Sequence, residues 1–508
     1  MELPLTPLDL LARIRRSAPD RVGVIEGEAS WTYRDLGERC DRLGHALQRD
    51  IGLRPGQVVA WLGGNTHELL EAYYGVLLAG GVLLPLNIRL APAELRAILA
   101  ASGAVVLFRH PDEPDPGQPG QAIRTVVLGD EHEELLAAQP SGPVPTPPVD
   151  ERAPAEVFYT SGSTGQPKGA LLSHRGLYLH AIHSALTMGL TADEVVLHTI
   201  PLFHVNGWGT PHYVTGLGGT HVMLPRFDAG EVLRLVEAHG ITRLFLVPAM
   251  ARLLLDHGDI DRRELGSVRN ISVGGAPASR ELLAELDAAF GCETICGYGM
   301  TEAGPTLTRS LAVPGRPSSL DQRATTGRPI LGVDARVLGP DDVEVPWDGQ
   351  TVGEICARSN HVMIGYLDQP EATSEALRDG WLRTGDLAVV DADGYMTIVD
   401  RAKDLIISGG ENIASVEVEH ALCAHPAVSE AAVVGVPDER WGEVPRAFVS
   451  LVDGGGVDGV DEAELITWVR SRLAAFKAPR SVVILDELPK GGTGKVQKQQ
   501  LRRWPLES

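Results

Sequence analysis

Between two apolar, strand-forming segments, EVFY and ALLSH, the chain inserts TSGSTGQPKG, Thr160 to Gly169. Such a stretch has almost nothing to bury, so it can only be a loop held at both ends by a sheet. The same loop suits an anion. Glycines let the backbone approach closely, and hydroxyls and amides donate hydrogen bonds. Lys168 supplies the charge. The spacing is not that of the common phosphate loop, because no Ser or Thr follows the lysine.

The rest of the chain supplies the sheet. VVAWLG (Val58 to Gly63) reads as a buried strand. Asn65 and Glu68 follow at capping-box spacing, and Leu69, Leu70, Tyr73 and Leu77 recur on one helical face. VLLPLN, a helix over 93–101 and AVVLF continue the alternation, which is that of a wound α/β fold. Two Pro/Gly-rich stretches, Pro111 to Gln121 and Gln139 to Asp150, read as surface connections. The alternation resumes through LFLVP and ISVGGAP. DARVLG and GEICARS mark a β-rich portion over about 330–400, and the last hundred residues form another α/β unit. No internal repeat is present.

At 508 residues and a net charge of −22, the chain exceeds one core and is the wrong sign for nucleic acid or an anionic membrane. Its most apolar run, Val76 to Leu86, is too short to span a bilayer. Five cysteines lack metal-site spacing, so Cys292 and Cys296 read as plain thiols and a reducing cytoplasm as the location. Of 45 basic residues only six are lysine: Lys168, Lys403, Lys477, Lys490, Lys495 and Lys498. Those few are enriched for places where a compact ammonium is preferred to a guanidinium, although codon bias also explains the scarcity, and Lys490 and Lys498 read as ordinary surface charges.

Further motifs accompany the loop in a fixed order: PLFHVNGW (Pro201 to Trp208), GGAP (Gly274 to Pro277), GYGMTEAG (Gly297 to Gly304), TGD (Thr384 to Asp386), DRAKDLIISGGENIASVEVE (Asp400 to Glu419) and PKGGTGK (Pro489 to Lys495). Taken residue by residue, Tyr298 offers a plane for a nucleobase and Thr301 a donor for phosphate. Glu302 offers a hard oxygen for Mg²⁺. Lys495, on a glycine-rich turn, can reach an anionic carboxylate.

Together with the loop, these stretches resemble the adenylate-forming enzymes, above all the acyl-CoA synthetases, over about residues 30 to 500. The resemblance implies a large N-terminal domain of wound α/β subdomains (1–402) and a small mobile C-terminal α+β domain (403–508), hinged at Lys403. It implies that a carboxylic acid and ATP form acyl-AMP and pyrophosphate, and that a thiol then takes the acyl group. CoA is the first thiol to consider; a carrier-protein phosphopantetheine or a non-thiol nucleophile is the alternative, and a homodimer stays open.

By the same resemblance Thr160, Ser161, Gly162, Ser163, Thr164, Gly165 and Lys168 hold the β- and γ-phosphates. Gly275, Ala276, Pro277, Gly297, Tyr298, Gly299 and Met300 surround the adenine. Asp386 takes the ribose, with Arg401 a second ribose or phosphate contact, and Glu302 takes Mg²⁺. Lys495, Thr301, Glu302 and His204 are the catalytic set, with His204 a gate between acyl pocket and thiol tunnel. Gly409 and Gly410 line the tunnel, and His204, Trp208, Gly274 and Gly299 line the acyl pocket. Trp208 can cap that pocket or pack behind it. Val205 stands where amino-acid-activating members place aspartate, which argues against an α-amino acid. Medium-chain fatty and aryl acids both remain. The departures from the pattern are Ala249, Ala303 and Asp400, the last where glycine is commoner.

Overall fold

The computed structural model describes residues 3–118, 123–160, 167–408, 411–438, 440–452, 460–490 and 496–505. The chain forms two compact units. One comprises residues 1–335, 356–383 and 393–396; the other comprises 336–355, 384–392 and 397–508.

The first unit is built on two sheets. The seven-stranded one runs Gly365–Tyr366, Lys168–Ser173, Pro154–Thr160, Val82–Pro85, Val58–Leu62, Val106–Arg109, Arg124–Val127. Val58–Leu62 and Val82–Pro85 are buried throughout, as continuous apolar runs in a parallel sheet must be. The nine-stranded sheet places Arg243–Leu246, Asn270–Val273 and Glu293–Gly299 side by side in parallel. Thr306–Arg309 then pairs antiparallel to Glu293–Gly299. The stretch expected to be β-rich holds Val333–Leu338, Gly353–Ser359, Trp381–Val390 and Met396–Arg401.

Two details depart from the expected pattern around residue 67. The helix His67–Leu78 is buried on every side from Leu69 to Leu77 rather than along one face, because it lies inside the core with Val59, Trp61 and Leu83. Thr66, not Asn65, is its N-cap residue. Asn65 is buried and ties down another segment: its Nδ2 donates to the His198 and Ile200 carbonyls (2.7 and 3.0 Å), and its Oδ1 accepts from Leu202 N (2.7 Å). Capping-box spacing alone could not reveal this long-range use.

In the second unit, Val428–Asp438 and Gly442–Leu451 pair antiparallel, and Ser481–Ile484 runs parallel to the latter. Alternation along these strands serves two faces. Val433, Ala447 and Val449 pack with Val418, Leu422 and Leu465; Val434 and Phe448 pack with Leu488 and Leu501. The helix Glu462–Arg470 is shorter than its apolar period implies. No helix among the described residues is long and apolar enough to cross a membrane.

Candidate active site

Thr160 and Lys168 lie opposite each other in the antiparallel pair Pro154–Thr160 and Lys168–Ser173. The loop residues Ser161, Gly162, Ser163, Thr164 and Gly165 fall outside the described residues, as do Gly409, Gly410 and Lys495. At the described ends the site is specific. Lys168 Nζ stands 5.1 Å from the centre of the Tyr366 ring. The Tyr366 hydroxyl donates to Glu302 Oε1 (2.9 Å), and Thr160 Oγ1 donates to the same oxygen (3.4 Å). The Glu302 backbone carbonyl accepts from Met363 N (2.9 Å). The predicted phosphate-loop ends and the predicted magnesium ligand therefore meet.

Tyr366 was not legible as a site residue; its only signal is the GYLDQPE stretch. Burial, followed by the neighbouring Glu302 carboxylate, pushes its phenol far above the ordinary range. It therefore stays a donor at neutral pH. Both bonds to Glu302 fall on Oε1, leaving Oε2 without a donor among the described residues. That is the arrangement a hard divalent cation requires of a carboxylate, so Mg²⁺ fits here.

Thr301, Glu302 and Ala303 form one helical turn directly after the strand Glu293–Gly299. Gly299 is obligatory at that junction, since a Cβ there would overlap the Pro305 carbonyl. Met300 N also bonds to that carbonyl (2.9 Å). Thr301 and Glu302 are each 7% exposed, held from beneath by His361, whose Nδ1 lies 2.9 Å from the Ala303 carbonyl. Tyr298 and Gly297 are half-buried, whereas Gly275, Ala276 and Pro277 are exposed.

The HVNGW stretch folds unusually. Val205, Asn206, Gly207, Trp208 and Gly209 take φ of 38°, 45°, 53°, 64° and 86°. Three of these are not glycine, and each such residue costs roughly 1–3 kcal/mol. A buried anchor holds the turn. Asn206 Nδ2 donates to Glu156 Oε2 (2.8 Å), and His212 Nε2 donates to Glu156 Oε1 (2.7 Å). Glu156 is 0% exposed and lies on the strand that leads into the phosphate loop. Tyr73 and Tyr74 stand edge-on to His212 at 5.7 and 5.9 Å. The turn leaves His204 and Trp208 half-buried. The Trp208 ring edge lies against Gly274, 3.1 Å from where a Cβ would sit, and meets Phe245 at a right angle with centroids 6.1 Å apart. Two predicted pocket residues, Trp208 and Gly274, thus come together, and Gly297, predicted beside the adenine, adjoins them with its carbonyl 3.2 Å from the same Gly274 position.

In the second unit, Asp386 is 5% exposed and Arg401 Nε stands 3.1 Å from its Oδ1. Gly385, with φ 72°, turns the strand Trp381–Val390 so that Asp386 N can bond Thr384 Oγ1 (3.1 Å). Burial, helped by Arg401, lowers the Lys403 ammonium from its ordinary value. Asp400 accepts from both the backbone N and the hydroxyl of Ser415, which gives this departure from glycine a purpose. Lys498 also proves structural in a specific way: Nζ donates to Ser415 Oγ (2.6 Å) and pairs with Glu419 (2.7 Å). Arg502 donates to Asp404 (2.6 Å) and to the Lys403 carbonyl (3.0 Å).

This site on this fold defines an adenylate-forming enzyme. Residues 11–367 match the model of the AMP-binding enzyme family, and residues 417–495 match that of the AMP-binding enzyme C-terminal domain. The chain belongs to that family and is an AMP-forming acid–thiol ligase of the acyl-CoA synthetase type, with the family's large N-terminal and small C-terminal domains. It is 40% identical over 500 residues to a feruloyl-CoA synthase of Amycolatopsis sp, covering 97% of each chain. It is 34% identical to a peroxisomal trans-cinnamate:CoA ligase of Petunia hybrida, covering 98% of this chain and 94% of that one. Among solved structures, the o-succinylbenzoate CoA synthetase of Bacillus subtilis with its acyl-adenylate intermediate superposes with a TM-score of 0.87. It is 30% identical, with 99% of this chain and 98% of that one covered.

Proposed function

We propose that the enzyme activates an aryl carboxylic acid and transfers it to CoA. The observation that carries this reading is the wall made by Trp208, Gly274 and Phe245. An acyl pocket walled by an indole edge and a glycine would be flat, and a flat slot favours a ring over a flexible alkyl chain. The relatives named for feruloyl-CoA and trans-cinnamate point the same way.

In the first half-reaction the acid's carboxylate oxygen attacks the α-phosphorus of ATP, and pyrophosphate leaves. Thr160, Ser161, Gly162, Ser163, Thr164, Gly165 and Lys168 would hold the departing phosphates. Glu302 would hold Mg²⁺, which would supply positive charge against the phosphates. Tyr366 and Thr160 keep that carboxylate oriented. Thr301 would donate to the α-phosphate, and Lys495 would bridge acid and phosphate as a fixed cation. Gly275, Ala276, Pro277, Gly297, Tyr298, Gly299 and Met300 would enclose the adenine. The Asp386 carboxylate would accept from the ribose hydroxyls, steadied by Arg401.

In the second half-reaction the small domain, 403–508, would turn about Lys403 to open a tunnel past Gly409 and Gly410. The thiol sulfur then attacks the acyl carbon and AMP leaves, with His204 as the gate. A good leaving group makes a dedicated general base unnecessary.

Carboxylate-dependent exchange of labelled pyrophosphate into ATP, run over aryl and medium-chain aliphatic acids, tests the substrate class. Aryl acids should give the highest kcat/KM; a preference for aliphatic acids contradicts the proposal. CoA and a carrier protein, offered in turn with the best acid, test the acceptor, and CoA should be consumed.

Replacing Tyr366 by Phe removes one of the two bonds that orient Glu302. The half-saturating Mg²⁺ concentration in the exchange assay should rise about 10-fold. An unchanged Mg²⁺ titration contradicts the orienting role.

A further inference from the structure

Against Phe245 lies a buried cation with no carboxylate partner among the described residues. Arg309 is 5% exposed at the end of the strand Thr306–Arg309. Its register partner is Gly297, and with no side chain there the guanidinium folds across: Nη1 is 3.6 Å from the point where a Gly297 Cβ would sit. The cation stands over the Phe245 ring at 5.8 Å from its centre, the same ring that meets the Trp208 edge. The nearby Arg243 has a carboxylate, Glu194, at 3.4 Å. Among the described residues Arg309 has none.

Burying a charge without a partner is expensive. Here burial pushes the guanidinium down to about 10, which still leaves it charged at neutral pH. The ring of Phe245 offsets part of that cost, but a guanidinium carries five N–H donors that a ring face does not satisfy in full. A second orphan lies beside it. Tyr213 is 1% exposed, its hydroxyl has no partner, and the Arg309 charge acts on it. Its ring is 6.4 Å from Phe245. The Arg309 cation and the unpartnered Tyr213 hydroxyl therefore both belong to groups that flank one aromatic ring, that of Phe245.

The strand fixes where they sit relative to the reacting end. Gly297 precedes Gly299 by two residues, about 7 Å of extended chain, and Thr301 lies further on. Arg309, opposite Gly297, therefore lies upstream of Thr301 along the strand that carries the site.

We propose that Arg309, with Tyr213, selects acids that carry a hydrogen-bond-accepting oxygen, such as a phenolic hydroxyl, on the ring end remote from the carboxylate. The proposal rests on the aryl-acid reading and sharpens it. The guanidinium N–H groups donate to that oxygen, and the substrate supplies what the protein leaves open. A site built around such a bond discriminates strongly against an analogue of the same size that lacks it.

The test is pyrophosphate exchange with cinnamate, 4-hydroxycinnamate and 4-methylcinnamate. The methyl analogue fills the same space without an acceptor. The unaltered enzyme should favour 4-hydroxycinnamate over 4-methylcinnamate by about 10-fold or more in kcat/KM. Arg309→Met should lower kcat/KM for 4-hydroxycinnamate about 10-fold more than for 4-methylcinnamate, and Arg309→Lys should keep part of the preference. Equal treatment of the two acids by the unaltered enzyme overturns the proposal without needing any variant. Equal losses on both acids in Arg309→Met overturn it by making the residue merely structural. Exchange with aliphatic acids and none with the three cinnamates overturns the aryl-acid reading itself, and this proposal with it.

Discussion

Lys495→Ala lowers acyl-adenylate formation by about 10²–10³-fold, the scale set by removing one preorganised charge from a developing anion. The same variant keeps thioester formation from supplied acyl-AMP largely intact. The reason is chemical. The first half-reaction brings an anionic carboxylate against an anionic triphosphate, and a cation that touches both is needed there. The second brings a thiol to a mixed anhydride whose leaving group is AMP, where no such repulsion exists. Lys495 itself lies outside the described residues, but its neighbours are firmly held. Lys490 and Val496 pair antiparallel, Lys490 meets Glu430 at 2.9 Å, and Lys498 and Arg502 tie the following helix to Ser415 and Asp404. Single-turnover assays of the two half-reactions separate the effects. Equal loss of both contradicts the assigned role.

The second large effect belongs to a residue with no part in the chemistry. Glu156→Ala should destabilise the protein by about 3–5 kcal/mol, because it strands the buried donors of Asn206 and His212. It should also raise KM for the acid at temperatures where the variant is folded. Glu156 holds Asn206 and His212 at the left-handed run 205–209, and that run carries Trp208 and follows His204. Urea denaturation measures the first effect and the exchange assay the second. Glu156→Gln, which keeps the volume and one acceptor, should lie between the two. A loss below about 1 kcal/mol in Glu156→Ala would show that the strained turn holds without its anchor.

Much of this molecule is legible in its residues. The apolar runs at Val58–Leu62 and Val82–Pro85, bounded by turn signals, announce a buried parallel sheet. The Gly/Ser/Thr loop between two strands announces its own anchoring, and Thr160 and Lys168 do face each other across it. The motif order is enough to bring Thr160 to Glu302 and Trp208 to Gly274. What stayed hidden shares one cause, a polar residue whose partner is distant in sequence. Glu156 reads as a polar interruption in a strand, yet it serves Asn206 and His212, 50 and 56 residues away. Asn65 reads as a helix cap and binds the carbonyls of His198 and Ile200 instead. Tyr366 and Arg309 look like ordinary strand-end residues until the sheets bring them to Glu302 and Phe245. Local pattern finds elements and motifs. It does not find pairs that only the tertiary fold creates.

The central claim is that ATP is cleaved between its α- and β-phosphates in response to a carboxylic acid. Exchange of labelled pyrophosphate into ATP tests it most directly, in the presence of Mg²⁺ and with no thiol added. Label should enter ATP only when an acid is supplied, most rapidly with a ring-bearing one. Release of inorganic phosphate from ATP without any acid, and no label in ATP with one, would contradict it.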